Sequence, residues 1–361
     1  MTAGDPPVTN AEIGSPSHDA EGTAPGALVG RSPSITGQEI AAHLVPPRQF
    51  DDARFDTYRP DPEYDTQAQA VEVLRAFSGD RAGSRGGLFS RKKAPALKPG
   101  VYLDGGFGVG KTHLLASLWH AMPGPKYFGT FIEYTALVGA LGYQGAVGIL
   151  RGARLVAIDE FELDDPGDTM MMTRLLSDLV ADGTRIAATS NTPPNALGEG
   201  RFAAADFLRE IQAMSDRFDT IRIDGLDYRR RAFEGHAVTV DADDLDARAD
   251  AAQAGGRAVT VDAFPELVAH LSRLHPSKYV KVIEGVDAIA LRDVTQLQGQ
   301  TDALRFVAFV DRVYDAQIPL LASGTPFDEA FSAEMLAGGY RKKYLRAISR
   351  LISLTAAGRD I

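Results

Sequence analysis

Residues 105–112 read Gly-Gly-Phe-Gly-Val-Gly-Lys-Thr and complete the pattern G-x-x-x-x-G-K-[ST]. In this pattern the glycines allow a tight loop whose backbone N–H groups point at phosphates. The lysine reaches the terminal phosphates, and the threonine hydroxyl binds Mg²⁺. The nucleotide is expected to contact Gly105, Gly106, Phe107, Gly108, Val109, Gly110, Lys111, Thr112 and His113.

The flanking sequence supports this interpretation. An apolar run at 101–103 precedes the loop, and apolar residues recur at helical spacing after it. Phosphates would therefore lie at a helix N-terminus, where unpaired N–H groups and the helix dipole favour negative charge. The alternative is a glycine-rich turn between a strand and a helix, with an incidental lysine.

A second apolar run, 155–158, ends in the two carboxylates Asp159 and Glu160. A central parallel strand has this composition when its C-terminal end opens onto a ligand crevice. Asp159 is expected to hold Mg²⁺ through water, together with Thr112, and Glu160 to polarise the attacking water. Two solvated acids at a strand end are the alternative. The pair extends the prediction from nucleotide binding to ATP hydrolysis.

A third apolar run ends in Thr189-Ser190-Asn191, ahead of two prolines. The amide of Asn191 can hydrogen-bond the γ-phosphate or the lytic water and so report hydrolysis to the loop that follows. A turn-forming asparagine before prolines explains the same residues equally well. Asn191 is therefore a catalytic candidate with both interpretations open.

The three runs occur in the order of an AAA+ ATPase, and the chain resembles the ZapE-type cell-division ATPases and their mitochondrial relatives. The resemblance runs from about Tyr58 to the C-terminus and is strongest over 100–231. It implies Mg²⁺-dependent ATP hydrolysis, a ring-like homo-oligomer and a protein client in division or proteolysis machinery. The matching segments are 100–106, 159–162 extending through Asp168 to Leu176, 189–193, 227–231 and 349–351, with Gln67, Ala70 and Leu74 upstream.

The chain departs from this family between the phosphate-loop helix and the second run. Only residues 123–152 fill that gap, whereas the family carries a longer insertion with a histidine. The contacts of that insertion are therefore not carried over to this chain.

AAA+ sites usually lie between subunits and are completed by an arginine of the neighbour, so the resemblance predicts such a residue here. Arg217 stands just before the last core strand, where this residue commonly lies, and Arg201 and Arg209 are rivals. A cation against the leaving phosphates stabilises charge that develops in the transition state. Arg350 is expected to contact nucleotide or a neighbouring subunit, or else to be an arginine on a helix surface.

Charge and composition bear on partners and location. The formal net charge of −10 argues against a general nucleic-acid coat, because nonspecific binding depends on neutralising phosphates with Lys and Arg. The chain contains no cysteine, which excludes disulfides, thiolate metal sites and cysteine nucleophiles. No signal peptide is expected, since no basic start precedes an apolar core, and the use of ATP favours the cytoplasm.

The uncharged stretch 134–150 is shorter than the about twenty residues of a membrane-spanning helix and contains four glycines. We expect a packed helix with a glycine-rich connection, and at most peripheral contact with membranes.

Two local clusters are basic despite the net charge. The first, in 81–98, is expected to be a solvated loop rather than a binding patch. The second lies on an amphipathic helix on which Arg346 and Arg350 share a face one turn apart. Their members are Arg81, Arg85, Arg91, Lys92, Lys93 and Lys98 in the first, and Arg341, Lys342, Lys343, Arg346 and Arg350 in the second.

The expected fold is α/β, a P-loop NTPase of the AAA+ type with a parallel central sheet and a C-terminal α/β extension. Residues 1–50 are rich in Pro, Gly, Ser and Thr and are expected to be a disordered tail. Residues 51–99 would hold a helix over 66–77 and the basic loop, 100–232 the nucleotide-binding core, and 233–361 the C-terminal region.

Within the C-terminal region, the repeated segment Ala-Val-Thr-Val-Asp-Ala at 237–242 and 258–263 predicts two paired strands. Strands at 288–291 and 318–321 are expected on either side of a helix over 302–314.

These features predict an ATP hydrolase that couples hydrolysis to remodelling of a protein partner. The alternative from another class is a helicase-loader-like ATPase that acts on a nucleic-acid complex. The sequence contains neither a helix-turn-helix signature nor a basic groove with interleaved aromatic residues. A nucleotide-gated scaffold with negligible turnover is disfavoured by the Asp159-Glu160 pair.

Overall fold

The computed structural model describes most of the nucleotide-binding core and the C-terminal region. The described residues are 26–79, 98–106, 108–163, 166–194, 197, 212–213, 215–225 and 235–361.

The nucleotide-binding core is built on a five-stranded sheet in the order β2-β3-β4-β1-β5, in which all neighbouring strands are parallel. Because parallel strands end at the same edge, the C-terminal ends of β1, β4 and β3 lie side by side. Ligands of open parallel sheets bind outside this edge. The strands are β1 Gly100–Gly105, β2 Lys126–Thr130, β3 Leu155–Asp159, β4 Arg185–Ser190 and β5 Phe218–Ile223.

Helices cover both faces of this sheet. Val101 and Leu103 of β1 pack with the apolar residues of α2 and α3 on one face, whereas Tyr102 packs with those of α4 and α5 on the other. The expected helix over 66–77 and the α/β fold class are thus confirmed. The helices are α1 Gly37–Ala42, α2 Asp65–Ser78, α3 Lys111–Ala121, α4 Phe131–Leu150 and α5 Pro166–Ala181.

The uncharged stretch forms most of α4. A capping box begins this helix, since the Thr130 hydroxyl accepts from the amide of Glu133 and the Glu133 carboxylate accepts from that of Thr130. Gly142, with φ of +69° and ψ of 166°, is not helical, so α4 consists of two helical segments that meet in a kink at this glycine. Among the described residues, the structure contains no helix with the length and apolar character needed to cross a membrane.

Residues 26–50, here called the N-terminal strap, are ordered, which corrects the expectation of disorder for this part of 1–50. Their order comes from distant partners. The amides of Leu28 and Val29 donate to the Asp262 carboxylate at 2.9 and 2.8 Å, and the carbonyl of Leu44 accepts from the amide of Phe128 at 2.8 Å. Leu28 is fully buried. The rest of the expected tail, residues 1–25, lies outside the described residues.

The C-terminal region contains a second parallel sheet, in the order β6-β7-β8. One face packs against α7, α9 and α11, and the other against α6. The chain therefore returns to α/β structure, as expected. The elements are α6 Ala242–Ala254, β6 Val259–Ala263, α7 Phe264–Ser272, α8 Tyr279–Val282, β7 Ala288–Val294, α9 Gln300–Asp315, β8 Leu320–Gly324, α10 Ala333–Ala337 and α11 Arg341–Ala357.

The two copies of the repeat, at 237–242 and 258–263, do not pair with each other, so that prediction is wrong. The second copy forms β6, which pairs with β7, whereas residues 237–241 form no strand. They run beside β8, where the amide of Val240 donates to the carbonyl of Ala322 at 2.9 Å, and α6 begins at Ala242. Tertiary context thus outweighs the equal local preference of the two copies.

Candidate nucleotide site

The phosphate loop connects the end of β1 to the start of α3. Gly110 immediately precedes α3 with φ of +85°, a conformation that side chains other than glycine rarely adopt. A Cβ on Gly110 would also lie 2.5 Å from a ring carbon of Tyr58, whose hydroxyl donates to the carbonyl of Val109 at 2.9 Å. The glycine here is therefore required by both conformation and space. Phe107 lies outside the described residues.

Lys111 begins α3, and its side chain turns back into the loop. Its ammonium donates to the carbonyls of Gly105 and Gly106 at 2.9 and 2.5 Å and to Oδ1 of Asn191 at 2.8 Å. The structure thus brings together two of the predicted residues, 80 positions apart in the chain. The lysine is buried and the charge is held at the mouth of the loop, where it can contact phosphate oxygens.

Thr112 and Asp159 form the predicted Mg²⁺ pair. The Thr112 hydroxyl donates to Oδ2 of Asp159 at 3.1 Å, and the Thr189 hydroxyl donates to Oδ1. Burial raises the pKa of Asp159, and the charge of Glu160 adds to this, whereas the hydrogen bonds from Thr189 and Thr112 oppose it. A bound cation would favour the charged carboxylate.

The donor set fits Mg²⁺. No group of three or more His, Asp or Glu side chains in the described stretches is placed to hold a metal ion. Mg²⁺ does not need one, because it is usually bound through one or two carboxylates, waters and the phosphates of a nucleotide. Thr112 and Asp159 would hold it, and the ion would neutralise charge on the phosphates.

Glu160 follows Asp159 with φ of +55°, a left-handed conformation that is uncommon for a residue with a side chain. Its amide donates to the hydroxyl of Thr189 at 3.0 Å. Thr189 thus contacts both acids, through the amide of one and the carboxylate of the other. Thr189 is the penultimate residue of the strand of the third run, and its sequence position alone predicts no such role.

Helix α11 of the C-terminal region lies against this edge of the core. The Arg346 guanidinium contacts Oε2 of Glu160 at 2.5 Å and Oδ2 of Asp311 at 2.8 Å. Arg350 pairs with Oδ1 of Asp311 and lies 3.9 Å from Oε1 of Glu160. Burial raises the pKa of Asp311, but the charges of Arg346 and Arg350 lower it to about 2.

Arg346 and Asp311 were missed as site residues. The spacing of Arg346 and Arg350 on one helix face was visible in the sequence, but their shared acceptor lies on another helix. Arg350 is not a solvated surface residue, since its side chain is 15% exposed, and the expectation that it contacts nucleotide remains a prediction.

His113 lies in the first turn of α3 and faces the segment that precedes α2. Its Nε2 is 3.1 Å from the Thr57 hydroxyl and 3.2 Å from the Arg54 carbonyl. These contacts place it beside the phosphate loop, and its contact with nucleotide stays a prediction.

A cavity of about 720 Å³ opens between the core and the C-terminal region. Thr112, Asp159 and Glu160 line it on the core side, and Asp311 and Arg350 on the other. The predicted Mg²⁺ pair and water-activating acid therefore face open space.

Arg217 lies at the opposite edge of the sheet. Its carbonyl accepts from the amide of Gly100, the first residue of β1, at 3.1 Å. It therefore lies at the edge where β1 and β5 begin, away from the phosphate loop of its own chain. Arg201 and Arg209 lie outside the described residues, as do the family-like segment 227–231 and all members of the first basic cluster except Lys98.

Comparison with known proteins identifies relatives. The family model described as AFG1-like ATPase matches residues 35–255 and 234–359. The cell division protein ZapE of Escherichia coli K12 is 28% identical over 294 residues, covering 70% of this chain and 76% of its own. The uncharacterised protein C115.02c of Schizosaccharomyces pombe is 25% identical over 301 residues, covering 68% and 66%.

Among solved structures, domain III of the replication initiation protein DnaA from Thermotoga maritima resembles the chain with a TM-score of 0.38 and 17% identity. The match covers 51% of this chain and 71% of that one. The P-loop fold is seen in the strand order of the parallel sheet itself.

Proposed function

This chain belongs to the AFG1-like ATPase family and is an ATP-hydrolysing P-loop enzyme, and from that premise we propose that it uses Mg²⁺-ATP to remodel a protein partner in cell division. The observation that carries this proposal is the convergence of Lys111, Asn191, Thr112, Asp159 and Glu160 at one edge of the sheet. We also propose a cytoplasmic location, where ATP is available.

The proposed chemistry assigns each side chain a task. Lys111 binds the terminal phosphates, Thr112 and Asp159 hold Mg²⁺, and Asn191 hydrogen-bonds the γ-phosphate or the lytic water. Glu160 accepts the proton that the water loses as its oxygen attacks the γ-phosphorus. The bond from that phosphorus to the β–γ bridging oxygen breaks, and ADP and phosphate leave.

A protein client is favoured over nucleic acid because three of the five basic side chains of α11 lie beside acids of the same chain. Arg346 and Arg350 are ion-paired inside the molecule, and the ammonium of Lys343 lies 3.6 Å from Oε2 of Glu162. These charges are not available to neutralise phosphates on a bound strand. The other two, Arg341 and Lys342, are exposed, and the net charge of −10 opposes nonspecific nucleic-acid binding.

We therefore expect the ATPase rate to respond to a protein partner more than to nucleic acid. Proteins retained by Glu160→Gln with ATP, but not by Lys111→Ala, would be identified by mass spectrometry, purified and added to the ATPase assay. Single- and double-stranded DNA and RNA would be tested in parallel at near-physiological salt. Strong, salt-sensitive stimulation by nucleic acid that is lost on neutralising Arg91, Lys92 and Lys93 would instead support the helicase-loader alternative.

We further propose that the active form is a ring of identical subunits in which Arg217 acts on the neighbour's site. Its position at the edge opposite its own phosphate loop supports action between subunits. The corresponding contribution in GTPases is about 10³–10⁵ in rate.

Mixing Arg217→Ala with Lys111→Ala is expected to restore activity that neither variant has alone, because a mixed interface joins an intact loop to an intact arginine. The matched control is a mixture of Lys111→Ala with Glu160→Gln. Both of these residues belong to the same chain's site, so mixing creates no intact site. The measurement is ATPase rate in oligomers shown to be mixed by differential tags. Failure to complement would move the role to Arg201, to Arg209 or to no arginine.

A further inference from the structure

Two arginines of the C-terminal region face both carboxylate oxygens of the proposed water-activating acid. Arg346 contacts Oε2 of Glu160 at 2.5 Å, and Arg350 lies 3.9 Å from Oε1. Arg346 is only 7% exposed, which is unusual for an arginine. The contact joins the catalytic edge of the core to α11, in a different region of the same chain.

Arg346 is anchored within its own region as well as by Glu160. Asp311 of α9 accepts from it at 2.8 Å and also pairs with Arg350, which fixes both guanidinium groups on one carboxylate. Asp311 thus holds both guanidinium groups in place beside the Glu160 carboxylate of the core.

The contact with Glu160 does not satisfy Arg346 fully. Its Nε is buried, and no acceptor lies within hydrogen-bond distance of it among the described residues. A buried donor without a partner costs free energy. Arg346 therefore has fewer hydrogen bonds to lose when it moves than a fully paired arginine would have. The cavity of about 720 Å³ beside Glu160 gives the carboxylate room to turn.

The pair between Arg346 and Glu160 is accompanied by a further ion pair between the two regions. Arg312 of α9 makes a parallel bridge, with Oε1 of Glu133 in the core at 2.5 Å and with Oδ2 of Asp315 in its own helix at 3.3 Å. Both arginines link an aspartate of the C-terminal region to a glutamate of the core. Of these two arginines, Arg346 is the one whose glutamate belongs to the nucleotide site.

We propose that Arg346 is a positioning residue that restrains Glu160 within one chain: anchored on Asp311, it holds the carboxylate away from the hydrolytic water while α11 lies against the end of β3. This inference rests on the proposed role of Glu160. A guanidinium has N–H donors and no acceptor, so it cannot take the proton that water must lose. While Arg346 occupies Oε2 of Glu160, that oxygen does not face the lytic water, so hydrolysis is faster once Glu160 leaves Arg346, and the C-terminal region thereby limits the rate.

Arg346→Gln is expected to raise kcat for ATP hydrolysis about tenfold. This factor corresponds to a parent in which Glu160 is free of Arg346 in about one molecule in ten, a population typical of minor conformational states. The KM for ATP should stay within about twofold, because the arginine acts on the acid rather than on binding. Steady-state ATPase assays of the full chain measure both values. A kcat at or below the parent value, in a folded protein that binds ATP, would overturn the inference.

Arg312→Gln is the matched control, since it breaks the parallel bridge without touching Glu160, and it should leave kcat at the parent value. An equal rise in both variants would mean that loosening the contact between the regions is enough, and the specific role of Arg346 would be wrong. Should Arg346→Gln fail to fold, Arg346→Lys keeps the charge with fewer donors. Its kcat should lie between those of the parent and a fully released enzyme, and a kcat no higher than the parent's would overturn the inference.

The double variant Arg346→Gln/Glu160→Gln separates this inference from the proposed function. It should be as inactive as Glu160→Gln alone, because the gain acts through Glu160, and a double variant that keeps the raised rate contradicts the inference. Glu160→Gln with parent activity would remove the assigned base and this inference with it. Glu160→Gln without activity, combined with Arg346→Gln at the parent rate, would overturn this inference alone.

Discussion

Lys111→Ala is expected to abolish ATP binding at the ATP concentrations that saturate the parent. The ammonium is the predicted side-chain cation on the terminal phosphates, and the structure holds it at the mouth of the loop by two carbonyls and Asn191. Truncating one partner of a buried, hydrogen-bonded charge pair costs about 2–5 kcal/mol, which weakens affinity by roughly 30-fold to several thousand-fold. Titration calorimetry or a fluorescent ATP analogue gives the dissociation constants.

Thermal unfolding provides a second measurement. ATP at about a hundred times its dissociation constant should stabilise the parent chain by about 2.7 kcal/mol, and Lys111→Ala should lose this gain. The matched control is Lys126→Ala, a half-buried lysine whose ammonium donates to the carbonyl of Met122 at 2.8 Å, away from the site. It should keep the ATP-dependent shift. A parent chain that shows no shift with Mg²⁺-ATP would count heavily against the phosphate-loop assignment.

Glu160→Gln is expected to bind ATP like the parent and to lose turnover. Glutamine keeps the size of the side chain but cannot accept the proton of the lytic water. A positioned general base contributes about 10²–10⁴ in rate, so kcat should fall by that factor. Single-turnover hydrolysis and equilibrium binding on the same preparation separate the two effects.

Glu133→Gln is the control for the loss of a charge between the two regions. Glu133 also pairs with an arginine at 2.5 Å, and glutamine at this third position of the helix retains the capping box. Its turnover should stay near that of the parent. Hydrolysis by Glu160→Gln at the parent rate would show that the acid has been assigned wrongly.

Much of the nucleotide site followed from local sequence, because its parts are attached to strand ends. Each of the three runs places its polar residues immediately after a buried strand, and parallel strands bring those ends together. That is why Lys111 and Asn191 come together although 80 residues separate them. The left-handed backbone of Glu160 had no comparable signal, since its sequence neighbours do not require it.

The role of α11 could not be predicted in the same way. Its apolar spacing fixed the inward face, but an arginine at the border of that face is solvated or buried according to what lies opposite. Asp311 decides this for Arg346, and it belongs to a helix 35 residues earlier. The N-terminal strap presented the same difficulty, because its composition favours disorder and its order depends on Asp262 and Phe128.

The N-terminal strap also has a consequence for how the chain folds as it is made. The bond between Leu28 and Asp262 spans 234 residues, so at about 5–20 residues per second the ribosome adds Asp262 roughly 10–50 s after Leu28. During that interval Leu28 has no place to bury its side chain. The strap can settle on the core through Leu44 earlier, since Phe128 emerges well before the second sheet. Docking of residues 26–31 is therefore a late step, completed only after translation has passed β6.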